Sequence, residues 1–193
     1  MEHKMKKLVL TFLTAALLST GPAFANEYAD QLTDLANSKL KEIAQNPELV
    51  AAITAQNAMT ADYDQAKIDA LDKQWRAEVD ASSKPLIDDV LANTASAYLK
   101  KVQEDSEGMF TEIFAMDDKG LNVGQSSVTS DYWQGDEGKW QNTYQKGADA
   151  IDIGDVEQDE STQTFQSQVS IPVLDDAGNP IGAITFGVNV DYL

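Results

Sequence analysis

Three observations predict an α+β fold for this sequence. Residues 26 to about 106 carry apolar side chains at helical spacing, whereas from Met109 onward the pattern turns to alternation with Gly, Thr, Val and Ile. The chain then closes on two alternating runs, Phe165 to Val173 and Ile181 to Val190, joined by Leu174-Asp175-Asp176-Ala177-Gly178-Asn179-Pro180, a strong hairpin signal. The expected order is a group of N-terminal long helices followed by an antiparallel sheet with a short capping helix.

Residues 1–25 have the layout of a cleavable export signal: basic Lys4, Lys6 and Lys7, an apolar run from Leu8 to Leu18, and small residues around Ala23-Phe24-Ala25. The apolar run falls short of the about 20 residues needed to cross a bilayer, and no later stretch is apolar enough to do so. The reading is cleavage after Ala25, a mature chain starting at Asn26, and delivery to the periplasm. Residues 26–84 then form a helical N-terminal extension and residues 85–193 a sheet-bearing domain.

In the extension, Tyr28, Leu32, Leu35, Ala36, Leu40 and Ile43 share one helical stripe that Asn46-Pro47 ends. A second pattern runs through Leu49, Val50 and Ile53 to about Thr60, and a third carries Ile68, Leu71, Trp75 and Val79. Ser82, Ser83 and Pro85 begin a further long helix, with Pro where its missing N–H costs nothing. Its stripe extends through Ile87, Val90, Leu91, Thr94, Tyr98, Leu99 and Val102, and Gly108 stops it. Beyond it, Phe110 to Met116, the turn Asp117-Asp118-Lys119-Gly120, and Leu121 to Gly124 read as strand, turn, strand. Gly135 to Gln145 reads as the capping helix, and Ala150, Ile151 and Ile153 as a short strand.

Composition excludes several kinds of chemistry. The only histidine is His3, inside the signal, and there is no cysteine. The mature chain thus lacks the side chains that most often serve as general base, soft-metal ligand or strong nucleophile near neutral pH, and it cannot form disulfides. Ser-His-Asp and Cys-His arrangements are impossible, and no Gly-rich phosphate loop or activated-serine motif appears, so an enzyme is not expected and no cofactor is implied. A formal net charge of −18, made more negative by loss of the basic signal, repels phosphate backbones and sets nucleic acid aside.

Three stretches, IFAMDDKGLNVGQS at 113–126, SDYWQGDEGKWQNTY at 130–144 and SQVSIPVLDDAGNPIGAITFGVNV at 167–190, resemble the Cache (PDC) sensor domains of extracytoplasmic bacterial receptors. The resemblance covers roughly residues 85–190. It implies a PAS-like antiparallel sheet, with the second stretch capping a ligand pocket. It also implies a small polar metabolite as ligand. Cache domains usually sit between two membrane helices; with the sequence stopping at Leu193, directly after its last strand, the expectation is action through a membrane-bound receptor or kinase.

Within the capping stretch, Tyr132, Trp133 and Trp140 lie among Asp136, Glu137 and Lys139. Aromatic faces beside carboxylates can enclose an ammonium group; packing of the cap onto the sheet is the other role such rings fill. The resemblance favours Tyr132 and Trp133 as ligand-facing and selects Asp159 as a pocket residue. Thr164, Gln166 and Gln168 alternate, giving one strand a polar face turned either to the pocket or outward. The only arginine is Arg76, outside the matching region, so Lys139 or Lys146 is left to meet any ligand carboxylate. The candidate ligand-binding residues are Tyr132, Trp133, Asp136, Lys139, Trp140, Asp159 and Gln168, with a cationic or zwitterionic ligand, an amine or amino acid. Asp155, Glu157, Asp159 and Glu160 form an acidic run that reads mainly as a solvated loop; it lacks the central Gly of an EF-hand and has Gln166 in place of a bidentate Glu. A divalent-cation-binding or structural envelope protein is the alternative.

Overall fold

The computed structural model describes residues 26–158 and 164–193. The export-signal reading of residues 1–25 and the assignment of Asp159 therefore lie outside the described residues. Asn26, where the mature chain is expected to begin, donates through Nδ2 to the Gly154 carbonyl at 2.8 Å and to Ser167 Oγ at 3.0 Å.

The first helical stripe forms α1 (Ala29–Leu35), which continues through a π-helical turn at Ala36–Leu40 into α2 (Lys41–Ala44). Asn46 then caps α3 (Pro47–Thr60), accepting from Glu48 N at 2.9 Å, with Pro47 in the first turn where no N–H is missed. Asp64 does the same for α4 (Gln65–Val79), accepting from Lys67 N at 2.9 Å. The long helix expected from residue 85 is instead two, α5 (Pro85–Leu91) and α6 (Thr94–Asp105). Asn93 separates them: its Oδ1 accepts from Ser96 N at 2.8 Å and its Nδ2 donates to the Val123 carbonyl at 2.7 Å, so the chain restarts there. At the start of α5, the carboxylate of buried Glu78 accepts the Leu86 and Ile87 N–H groups, at 2.8 and 3.1 Å.

Five antiparallel strands follow: β1 (Phe110–Met116), β2 (Asn122–Gln125), β3 (Asp152–Gln158), β4 (Phe165–Leu174) and β5 (Pro180–Asn189), ordered β2-β1-β5-β4-β3. The fold class is the expected one. The capping helix α7 (Gly138–Gln141) is shorter than expected and is followed by a 3-10 turn at Tyr144–Lys146. Gly135 does not join it, because the Gly135 backbone lies against Gly120, whose φ of +82° and missing Cβ make that approach possible. The short strand expected at 150–153 is displaced and longer, taking in Asp155 and Glu157 as sheet rather than loop.

The two faces of the sheet differ. Ile113, Ala115, Val169, Ile171, Ile184 and Phe186 form one core with Leu32, Leu40, Leu49, Ile53 and Leu99 of the helices. The core thus spans residue 84 without a break, and the N-terminal helices are the layer that buries this face. Strand alternation sends Glu112, Phe114, Gln168, Ser170 and Thr185 to the opposite face. There α7 closes one end through Trp140, which packs with Phe114, Met116 and Ala183. Among the described residues no helix is long and apolar enough to cross a membrane.

Candidate functional site

The polar face of the sheet floors a cleft. Gln168 Nε2 donates to Glu112 Oε1 at 2.9 Å, and Thr111 Oγ1 donates to Gln166 Oε1, so the amides and carboxylate are held in position by one another. At one side the edge strand β3 contributes Gly154, Asp155 and Glu157; over the top, the entry to α7 contributes Glu137 and Lys139. Together these bound a cavity of about 300 Å³. A second cavity of about 210 Å³ adjoins it, sharing Glu137, Lys139 and Gln168 and walled further by Glu112, Phe114 and the loop carrying Thr129 to Asp131.

Lys139 stands at the junction. Its Nζ lies 2.9 Å from Glu137 Oε2, 3.4 Å from Gln134 Oε1 and 5.3 Å from the centroid of the Phe114 ring. Among the described residues, four carboxylates, Glu112, Glu137, Asp155 and Glu157, line the two cavities against this one ammonium, and a fifth, Asp131, pairs with Arg76 at 2.9 Å. Arg76 also pairs with Asp72 at 2.7 Å; it lies outside the matching stretch of sequence, yet its pairing with Asp131 puts it beside the cleft wall in space. The arrangement is a concave, net-negative polar site with one aromatic face, suited to a hydrated small molecule bearing positive charge.

The residues singled out from the sequence divide by position. Lys139 and Gln168 line both cavities, and Asp136 is exposed at the start of the cap. Tyr132 is 6% exposed and stacks on Trp75 of α4, with ring centroids 5.3 Å apart, in a core with Ile68, Ile87 and Leu121. Burial raises the Tyr132 phenol far above its ordinary range, and the nearby Asp117 carboxylate adds to the shift. The Tyr132 and Trp133 backbone N–H groups donate to Asp72 Oδ1 at 2.9 and 3.1 Å, and Trp133 Nε1 donates to the Lys119 carbonyl at 2.8 Å. Trp140 Nε1 donates to the Asp117 carbonyl at 3.0 Å, while its ring stacks on Tyr144. The three rings bind the cap and its approach to the body of the protein.

Asp117 is the hub of that attachment. Its Oδ1 accepts from Lys119 N and Leu121 N, both at 2.9 Å, and its Oδ2 accepts from Gln56 Nε2 at 3.1 Å and Thr60 Oγ1 at 3.0 Å. Burial raises its pKa above the usual carboxylate range despite those donors.

Sequence reasoning missed Glu112, Asp155 and Glu157 as cleft residues. Period-two counting from Phe114 places Glu112 on the polar face, a signal that was present; the acidic residues of β3 were disguised by their run of charge.

No protein-family model matches the chain, and no curated protein does. Among solved structures, it is similar to the sensor domain of E. coli DcuS at 14% identity and a TM-score of 0.46, covering 84% of this chain and 95% of that one. It is also similar to the sensor domain of the V. cholerae histidine kinase DctB, at 15% identity and a TM-score of 0.39, over 84% of this chain and 57% of that one. A third is the sensory domain of the Campylobacter jejuni chemoreceptor Tlp3 with isoleucine bound, at 13% identity and a TM-score of 0.39, over 86% and 62%. The chain thus spans about three fifths of two of these structures and nearly all of the other. All three of these structures are sensor or sensory domains.

Proposed function

We propose that this chain is an exported Cache-type sensor protein that binds a cationic or zwitterionic metabolite, an amine or amino acid, and acts through a membrane-bound receptor or kinase. The ligand lies between the polar sheet face and the cap, in contact with Lys139 and Gln168, while Tyr132, Trp133 and Trp140 fix the cap's position. One observation carries the reading: among the described residues, Glu112, Glu137, Asp155 and Glu157 line the cleft against the single ammonium of Lys139. A dicarboxylate entering such a site would need a paired cation for each charge it desolvates, whereas an ammonium meets carboxylates already in place. The role is binding rather than catalysis, in keeping with a mature chain that has neither imidazole nor thiol.

A thermal-shift screen of amines, amino acids, dicarboxylates and calcium tests this. A ligand specific for the native state stabilises it by about 2.7 kcal/mol at 100 times its Kd. Amines or amino acids should raise the melting temperature. Tight binding of succinate or malate without response to amines would overturn the ligand class, and a response to calcium alone would favour the divalent-cation alternative.

A further inference from the structure

Resting on the ligand class proposed above, we infer that Lys139 is a tethered competitor: its ammonium fills the subsite for a ligand's primary ammonium, which binds by displacing it. The three groups around Lys139 Nζ are those a free alkylammonium would use: the Glu137 carboxylate at 2.9 Å, the Gln134 side-chain carbonyl at 3.4 Å and the Phe114 ring face at 5.3 Å. Two of them are rigid. Gln134 is buried and held by donation from its Nε2 to Asp131 Oδ1 at 2.7 Å, which aims its Oε1. Phe114 is buried within the cluster of Met116, Trp140 and Ala183. The third, Glu137, is more open, with a side chain 38% exposed, and the group they hold is carried on the flexible four-carbon stem of Lys139, whose side chain is 16% exposed.

Displacement conserves charge at the site. As one ammonium enters beside Glu137, another leaves, so no carboxylate is stranded and no extra cation is desolvated. The departing Lys139 has Asp155 and Glu157 as new partners in the larger cavity, or the ligand's own carboxylate if it has one. The same residue would strengthen binding if it acted as an anion clamp, so the two roles predict opposite signs.

The test is calorimetric titration of the mature protein with n-butylammonium, and with n-butyrate as the anionic counterpart. Lys139→Met keeps the stem and removes the charge; Lys139→Gln provides a second uncharged variant. Emptying an occupied subsite should tighten n-butylammonium by roughly tenfold in both variants, as expected when the competent state ceases to be a minor one. Lys146→Gln removes the same charge from the cap without emptying the subsite, and should leave the affinity as it was. Unchanged or weaker n-butylammonium binding in both Lys139 variants, with the wild type still binding, would overturn the displacement alone. An equal gain in Lys146→Gln would assign the effect to net charge and overturn it too. If neither the wild type nor any variant binds n-butylammonium, and n-butyrate binding is lost on removing Lys139, the cationic-ligand reading falls and displacement falls with it.

Discussion

Replacing Asp117 by Ala should cost about 3 kcal/mol of stability, a figure that follows from which donors are left without partners. Of the four groups donating to this carboxylate, two have alternatives: Gln56 Nε2 also reaches the Leu121 and Asn122 carbonyls, at 3.4 and 3.3 Å, and Thr60 Oγ1 reaches the Gln56 carbonyl at 3.0 Å. Among the described residues the Lys119 and Leu121 N–H groups have no such recourse, and Leu121 is fully buried. An unsatisfied buried donor costs about 1–3 kcal/mol, so the buried Leu121 N–H, with a smaller share from the part-buried Lys119 N–H and less the desolvation of the carboxylate that is recovered, sets the estimate. Asp117→Asn keeps one acceptor for both N–H groups and should cost only about 1 kcal/mol. The charge also leaves a pH signature. Because the native pKa is raised, the folded state holds this proton more tightly than the unfolded chain, so its contribution favours folding at low pH. That contribution is lost as pH rises from the ordinary carboxylate range through the raised native value. Asp117→Asn should remove this component. Urea titrations from acid to neutral pH would read both effects. Asp117→Ala within 1 kcal/mol of wild type, or Asn costing more than Ala, would refute the reasoning.

Trp75→Phe should destabilise by about 2–3 kcal/mol in urea titrations, since it removes the 2.9 Å hydrogen bond from Nε1 to the Thr129 carbonyl and part of the stack on Tyr132. Gly182→Ala should lose about 1–3 kcal/mol by the same measurement: its new Cβ would collide with the Met116 carbonyl oxygen and lie 3.1 Å from Ile53 Cγ2, where rigid backbone bars relief. Intact-mass analysis of the exported protein should find a chain starting at Asn26; an intact amino terminus embedded in membrane would remove the periplasmic assignment.

The closing hairpin was legible because all its signals are local. Strand alternation marks β4 and β5, and the turn between them supplies Asp175, whose Oδ1 accepts from Ala177 N at 2.9 Å and Asn179 N at 2.8 Å, and Gly178 at a φ of +81°. The break between α5 and α6 was hidden, because the stripe from Val90 to Leu99 is continuous and half of what holds Asn93 in place comes from Val123, on another element. Long-range partners explain the site as well. Nothing near Tyr132 in sequence reveals that Trp75 will take its face, or that Asp131 will meet Arg76. Asp155 and Glu157 look like a solvated loop because an edge strand paired on one side only tolerates charge as a loop does, and the charge also protects the edge.

The central claim, that the cleft beneath α7 is where a cationic small molecule binds, is tested most directly by following backbone amide resonances of the ¹⁵N-labelled mature protein during titration with n-butylammonium. The account predicts saturable shifts clustered at Glu137 to Lys139, Gly154 to Glu157 and Gln166 to Gln168. Shifts clustered instead around Gln103, Phe110 and Tyr192, which line a separate cavity of about 330 Å³ at the far end of β1, would contradict it.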